Sequence, residues 1–97
     1  MDESLATAVI DVGGRPYAVI DLPFHGERVG GLPLQLVEHA LEAFARTAGA
    51  TLHVRGAGRN DHHLAEAAFK ALARALRVAC ESDPRRDGVA STKGSLG

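Results

Sequence analysis

The 97-residue sequence predicts an α+β domain with two helices on one face of a β-sheet. Three observations carry this expectation. Short apolar and β-branched runs, broken by glycine and proline, occupy the first part of the chain. Two longer stretches follow, with apolar residues at three- and four-residue spacing. A short alternating run, "TLHVR", separates those two stretches. The resulting order is β-β-(β)-α-β-α.

Leu5 to Val12 is apolar and β-branched enough for a strand. Gly13 and Gly14 offer the positive-φ positions of a hairpin turn, and "RPYAVID", Arg15 to Asp21, reads as the returning strand. Pro16 donates no backbone hydrogen bond, so it confines that strand to an edge or falls at its start. Glu27 to Val29 reads as a short third strand between glycine breaks. "LPLQLVEHALEAFARTAG" predicts a helix with Pro33 near its first turn and Gly49 as its stop. Leu34, Val37, Leu41, Phe44 and Ala48 form its apolar stripe, and Glu38, Glu42 and Arg46 lie opposite. Thr51 to Arg55 alternates as a strand, and "GAGRN" is a loop. Asn60 or Asp61 caps a second helix running from about His62 to Glu81. "SDPRRDG" ends that helix, and the tail "VASTKGSLG" is polar and glycine-rich.

Composition bounds the function. The length suits one small domain spanning residues 1–97, and such a chain buries only roughly 60–65% of its unfolded surface. Aromatic residues make up 4% and tryptophan is absent, so the core falls to Leu, Val, Ile and many alanines. Support from a metal, a partner surface or oligomerisation is expected. A net charge of −1 argues against a general binder of nucleic acid or anionic membrane. The single cysteine, Cys80, permits no intramolecular disulfide and fits a reducing compartment; burial late in the second helix is its expected place. No apolar run approaches the roughly 20 residues of a membrane span, and "MDESLATAV" lacks a signal pattern. A soluble, cytoplasmic protein is expected.

The second helix carries the chemistry. At about 100° per residue, Glu66 lies about 40° from His62, Lys70 about 80° and His63 about 100°. Leu64, Ala68, Ala71, Leu72, Ala75 and Ala79 fill the opposite arc. His62 and Glu66, one turn apart, can hold one ion, while His63 points a quarter-turn away and can serve another. Imidazole with carboxylate suits zinc, manganese or iron, and a carboxylate- and water-rich site leans to manganese. His39, after Glu38 and off its helix's apolar stripe, is the next candidate. Each histidine taken singly fits a surface or satisfied-core role, and two ligands from one helix do not complete a site. Lys70 reads equally as a solvated helix lysine, and Arg15 as a turn residue. "STKG", Ser91 to Gly94, supplies hydroxyls, an ammonium and a flexible backbone suited to phosphate, without being a P-loop.

The segments "GGRPY", "LVEHALEAFA", "TLHVR", "GRNDHHLAEAAFKALARALR", "DPRR" and "STKGSL" run in order along nearly the whole chain. Together they resemble the imidazoleglycerol-phosphate dehydratase family of histidine biosynthesis. The resemblance implies half of a two-repeat β-β-β-α-β-α fold: a mixed four-stranded sheet with two helices on one face, the class named for the second domain of a small-subunit ribosomal protein. Family enzymes are about twice this long, and this chain resembles their second half. Ala90 stands where the family's tail ending usually has proline. The resemblance implies manganese held by His39, His62, His63 and Glu66, and substrate phosphate held by Arg15, Lys70, Ser91, Thr92 and Lys93. It makes residues 83–97 a flexible phosphate-binding tail.

The implied reaction is a hydro-lyase step, the manganese-dependent dehydration of imidazoleglycerol phosphate to imidazoleacetol phosphate. The hydrogen lost from carbon is not acidic, so an electron sink is needed, a Lewis-acid role. No proton-abstracting base is identifiable. The implied partners are further copies in a homo-oligomer, or a separate first-half chain. The alternative is a non-catalytic fragment of the enzyme that binds metal and self-assembles.

Overall fold

The computed structural model describes residues 2–13 and 15–81. Its elements are β1 (Leu5–Val12), β2 (Tyr17–Asp21), β3 (Arg28–Val29), β4 (Leu32–Pro33), α1 (Gln35–Ala48), β5 (Ala50–Ala57) and α2 (Asp61–Cys80). The α+β class, the mixed sheet and the two helices are as the sequence predicts.

The sheet departs from expectation in its order. It has three strands, β1-β5-β2, not four, with β5 antiparallel to β1 and parallel to β2. The glycine turn after Val12 therefore does not close a hydrogen-bonded hairpin, although Gly13 does adopt φ 90°. The chain steps over β5, roughly two strand spacings of about 4.8 Å, which the four residues between Val12 and Tyr17 can span at about 3.3 Å each. β5 takes the centre because its inward residues Ala50, Leu52 and Val54 are buried to 1% exposure or less. Pro16 immediately precedes edge strand β2, where its missing N–H removes no ladder bond. The expected third strand forms at Arg28–Val29, but pairs with Leu32–Pro33 as a separate ribbon turned at Gly30, φ 59°. Pro33 ends β4 and stands immediately before Leu34, the N-cap of α1.

Strand alternation puts Ala6, Ala8 and Ile10 of β1, Ala18 and Ile20 of β2, and Leu52 and Val54 of β5 on one face. The register sets Ile10 opposite Leu52, Ala8 opposite Val54, and Ile20 beside Val54. Helix α1 lies over β2 and β5, and α2 over β1 and β5. From α1 come Val37, Leu41 and Ala45; Phe44 packs beside them, whereas Ala48, expected in the stripe, is exposed. From α2 come Leu64, Ala67, Ala68 and Leu72; Ala79, placed on the core arc by periodicity, and Cys80, expected buried as a small hydrophobe, are exposed. The two stripe residues that miss, Ala48 and Ala79, lie in a last helical turn. Gly49, φ 64°, ends α1 in the left-handed conformation, its N–H donating to the carbonyls of Ala45 and Arg46.

Leu5, Val9, Tyr17 and Val19 point to the other face of the sheet, which carries no helix among the described residues. No helix of the described residues is long and apolar enough to cross a membrane.

Candidate metal centre

The candidate site grows from the start of α2. Asn60 caps the helix with extended φ/ψ, and its Oδ1 accepts the His63 N–H at 3.0 Å. Asp61, the first helical residue, reaches back to the loop before β3. Its two carboxylate oxygens accept the backbone N–H of His25 at 2.9 Å and of Gly26 at 2.7 Å. Those two bonds and the nearby His25 ring hold the Asp61 carboxyl below its usual range, the His25 N–H contributing most and burial opposing.

With the helix start fixed, the donors separate into two directions. His62 Nε2 stands 3.2 Å from Glu66 Oε1, and Lys70 Nζ stands 3.5 Å from Glu66 Oε2. These three form a ladder at four-residue spacing on the exposed side of α2. His63 turns away, its ring 75° to that of His62 with centroids 6.0 Å apart. Its Nδ1 lies 2.9 Å from Oε1 of Glu3. The other oxygen of Glu3 accepts Ser4 Oγ–H at 2.7 Å, Asn60 N–H at 2.9 Å and Arg59 N–H at 3.1 Å. The bonds to His63, foremost, then to Ser4 and to the Asn60 N–H hold the Glu3 carboxyl far below the usual carboxylate range.

The donor chemistry fits a divalent ion. An imidazole nitrogen and a carboxylate already face each other one turn apart, and a second imidazole serves another direction. Among the described residues, no three His, Cys, Asp or Glu side chains gather within this one chain. His39 is exposed on α1 and is not brought into the His62–Glu66 pair. Arg15 is exposed before β2, where its carbonyl accepts Thr51 Oγ1–H at 2.7 Å. Lys70 lines a groove between β1 and α2 together with Arg74, Leu5 and Ala67. Ser91, Thr92, Lys93 and the expected tail 83–97 lie outside the described residues. A separate cleft bordered by Phe24, Arg28, Leu34 and Glu38 includes none of the candidate ligands.

Sequence reasoning missed Glu3, and it saw Asp61 only as a possible cap. The Glu3–His63 contact joins positions 60 apart, for which no periodicity gives a signal. Asp61 was legible as an acidic first-turn residue, but not as the anchor of the loop at His25.

The fold and the donors at the head of α2 define a class first: an α+β module whose second helix opens with a His-His-x-x-Glu set. The crystal structure of imidazoleglycerol-phosphate dehydratase from Staphylococcus aureus superposes with a TM-score of 0.83 at 40% identity, over 86% of this chain and 49% of that one. The imidazoleglycerol-phosphate dehydratase of Dehalococcoides mccartyi is 57% identical across 99% of this chain and 50% of its own length. That of Methanoculleus marisnigri is 52% identical over the same shares. The family model for imidazoleglycerol-phosphate dehydratase matches residues 1–76. The chain belongs to the imidazoleglycerol-phosphate dehydratase family. It spans about half the length of the curated relatives it matches.

Proposed function

We propose that this chain supplies one half of a manganese-dependent dehydratase centre acting on imidazoleglycerol phosphate. His62, His63, Glu66 and His39 would hold the metal. Arg15 and Lys70, with Ser91, Thr92 and Lys93, would hold the substrate phosphate. The observation that carries this reading is the split at the head of α2, where His62 faces Glu66 while His63 turns to Glu3. A helix start with two directions of donors is suited to two ions, each completed from another chain or another half.

Bound there, the ion supplies Lewis acidity toward a leaving hydroxide. The residues of the chain do the rest. His62 and Glu66 approach from one helical face, so both can engage one ion without moving the backbone. Lys70 sits one further turn along, its ammonium free to exchange the Glu66 carboxylate for a phosphate oxygen. Phosphate held at a distance from the reacting carbons contributes binding energy that orients the substrate. Arg15, at the start of β2, brings a guanidinium from a different element.

A second reading, a module that binds metal and assembles without turnover, is favoured by one observation: among the described residues no three His, Cys, Asp or Glu side chains gather within the chain. One experiment separates the two. Dehydration of imidazoleglycerol phosphate is assayed with manganese, with the chain alone and with a separately supplied first half. Turnover in either mixture, lost in His62→Ala with His63→Ala, supports the dehydratase. Metal bound stoichiometrically with no turnover in both mixtures supports the second reading. Equal metal content in the wild type and the double variant rejects both.

A further inference from the structure

His62 and His63 are neighbours in sequence, yet they are held by different means. His62 faces Glu66 of its own helix, and 62% of its side chain is exposed. His63 is less than half as exposed, at 27%, and is gripped by a residue from the other end of the described chain. We propose that Glu3 is a positioning residue that fixes His63 as its Nδ1–H tautomer and so keeps Nε2 available to a divalent cation. This rests on the reading of His63 as a metal ligand.

The argument is one of donors and acceptors. An ionised carboxylate can only accept, so the ring nitrogen 2.9 Å from Glu3 Oε1 carries the hydrogen. A neutral imidazole has one N–H, and the lone pair then belongs to Nε2. Glu3 is not free to swing away from this task. Its Oε2 accepts from the backbone of Arg59 and Asn60 and from Ser4 Oγ. The backbone of His63 is fixed in turn by Asn60 Oδ1. The close approach of Ser4 to the β5–α2 loop depends on Gly58, where any Cβ would collide with Ser4. The result is a ring oriented before any ion arrives, as outer carboxylates orient metal-bound histidines elsewhere. His62 instead pairs along its own helix with Glu66.

The test uses the whole chain. Two-bond proton–nitrogen correlation spectra of the 15N-labelled, chelator-treated protein, at mildly alkaline pH, report the tautomer of each histidine. Manganese affinity is measured separately by calorimetry on the same variants. His63 is expected as Nδ1–H in the wild type; in Glu3→Gln the single amide oxygen is needed by the three donors on Oε2, so the –NH2 faces Nδ1 and His63 is expected as Nε2–H. In Glu3→Ala it is expected to shift toward Nε2–H, with manganese affinity weaker by about 10–100-fold. A wild-type His63 in the Nε2–H form overturns the proposal without recourse to any variant, even if Glu3→Ala fails to fold. A wild type that binds no manganese overturns the ligand reading beneath it. Equal affinity with and without the Glu3 carboxylate overturns the role of Glu3 alone.

Discussion

Gly58 has no Cβ where one would meet Ser4 Cβ at 2.7 Å and Ser4 Cα at 3.0 Å, with Ser4 Oγ nearer still. Because backbone as well as side chain blocks the space, rotation of Ser4 cannot relieve the clash. Gly58→Ala should therefore cost about 1–3 kcal/mol in denaturant unfolding, the range for overpacking. It should also loosen the His63–Glu3 bond; an unchanged unfolding midpoint would count against this packing. Acid should act at the same place. Glu3 and Asp61 both have folded-state values lowered from their ordinary 4.5 and 3.8. A lowered carboxyl stabilises the fold fully above its unfolded value and loses that contribution as pH falls through and below it. The unfolding midpoint should hold from neutral pH to about pH 5 and drop below it, and drop less in Glu3→Gln with Asp61→Asn. Parallel curves for the two proteins would refute the assignment.

At the scale of elements, α2 depends on its cap. Asn60 satisfies the His63 N–H, one of the helix's orphan donors, so Asn60→Ala should cost about 1 kcal/mol. Thermal unfolding of the purified variant reads this directly. Both helices were legible because the apolar spacing at Val37 and Leu41, and at Leu64, Ala68 and Leu72, states which side faces the sheet. Their ends were less so. Ala48 and Ala79 continue the apolar period, yet each is exposed in its helix's last turn. Strands were legible singly, from alternation, and not as a sheet. The pairing of β5 with both β1 and β2 is decided by which strand buries most on the inner face.

For the molecule as a whole, the core is small and shared. Leu41, Leu52, Leu64 and Val54 are its largest fully buried side chains, from both helices and the central strand. Leu52→Ala should cost about 2–5 kcal/mol, a large part of the stability of a domain this size, in the same unfolding assay. The sheet's open face leaves Leu5 74% and Tyr17 63% exposed, and the candidate ligands are incomplete within one chain among the described residues. The expected outcome in sedimentation at micromolar concentration is self-association that grows with manganese and declines with chelator. A single species of monomer mass, 10.2 kDa, under both conditions would contradict it.

The sequence by itself determined what local chemistry can state. It set the helices and their buried stripes, the α+β class, the cap at Asn60, the stop at Gly49 and the His62–Glu66 pair, because each depends on residues within about one or two turns. Tertiary structure alone decided that β5 enters between β1 and β2, that Asp61 ties down the loop at His25, and that Glu3 grips His63. Those contacts join residues tens of positions apart, and they arise only when burying Leu52 and Val54 draws distant segments together. Hydrophobic periodicity encodes which side of an element is buried, but it carries no term for which other element will meet it.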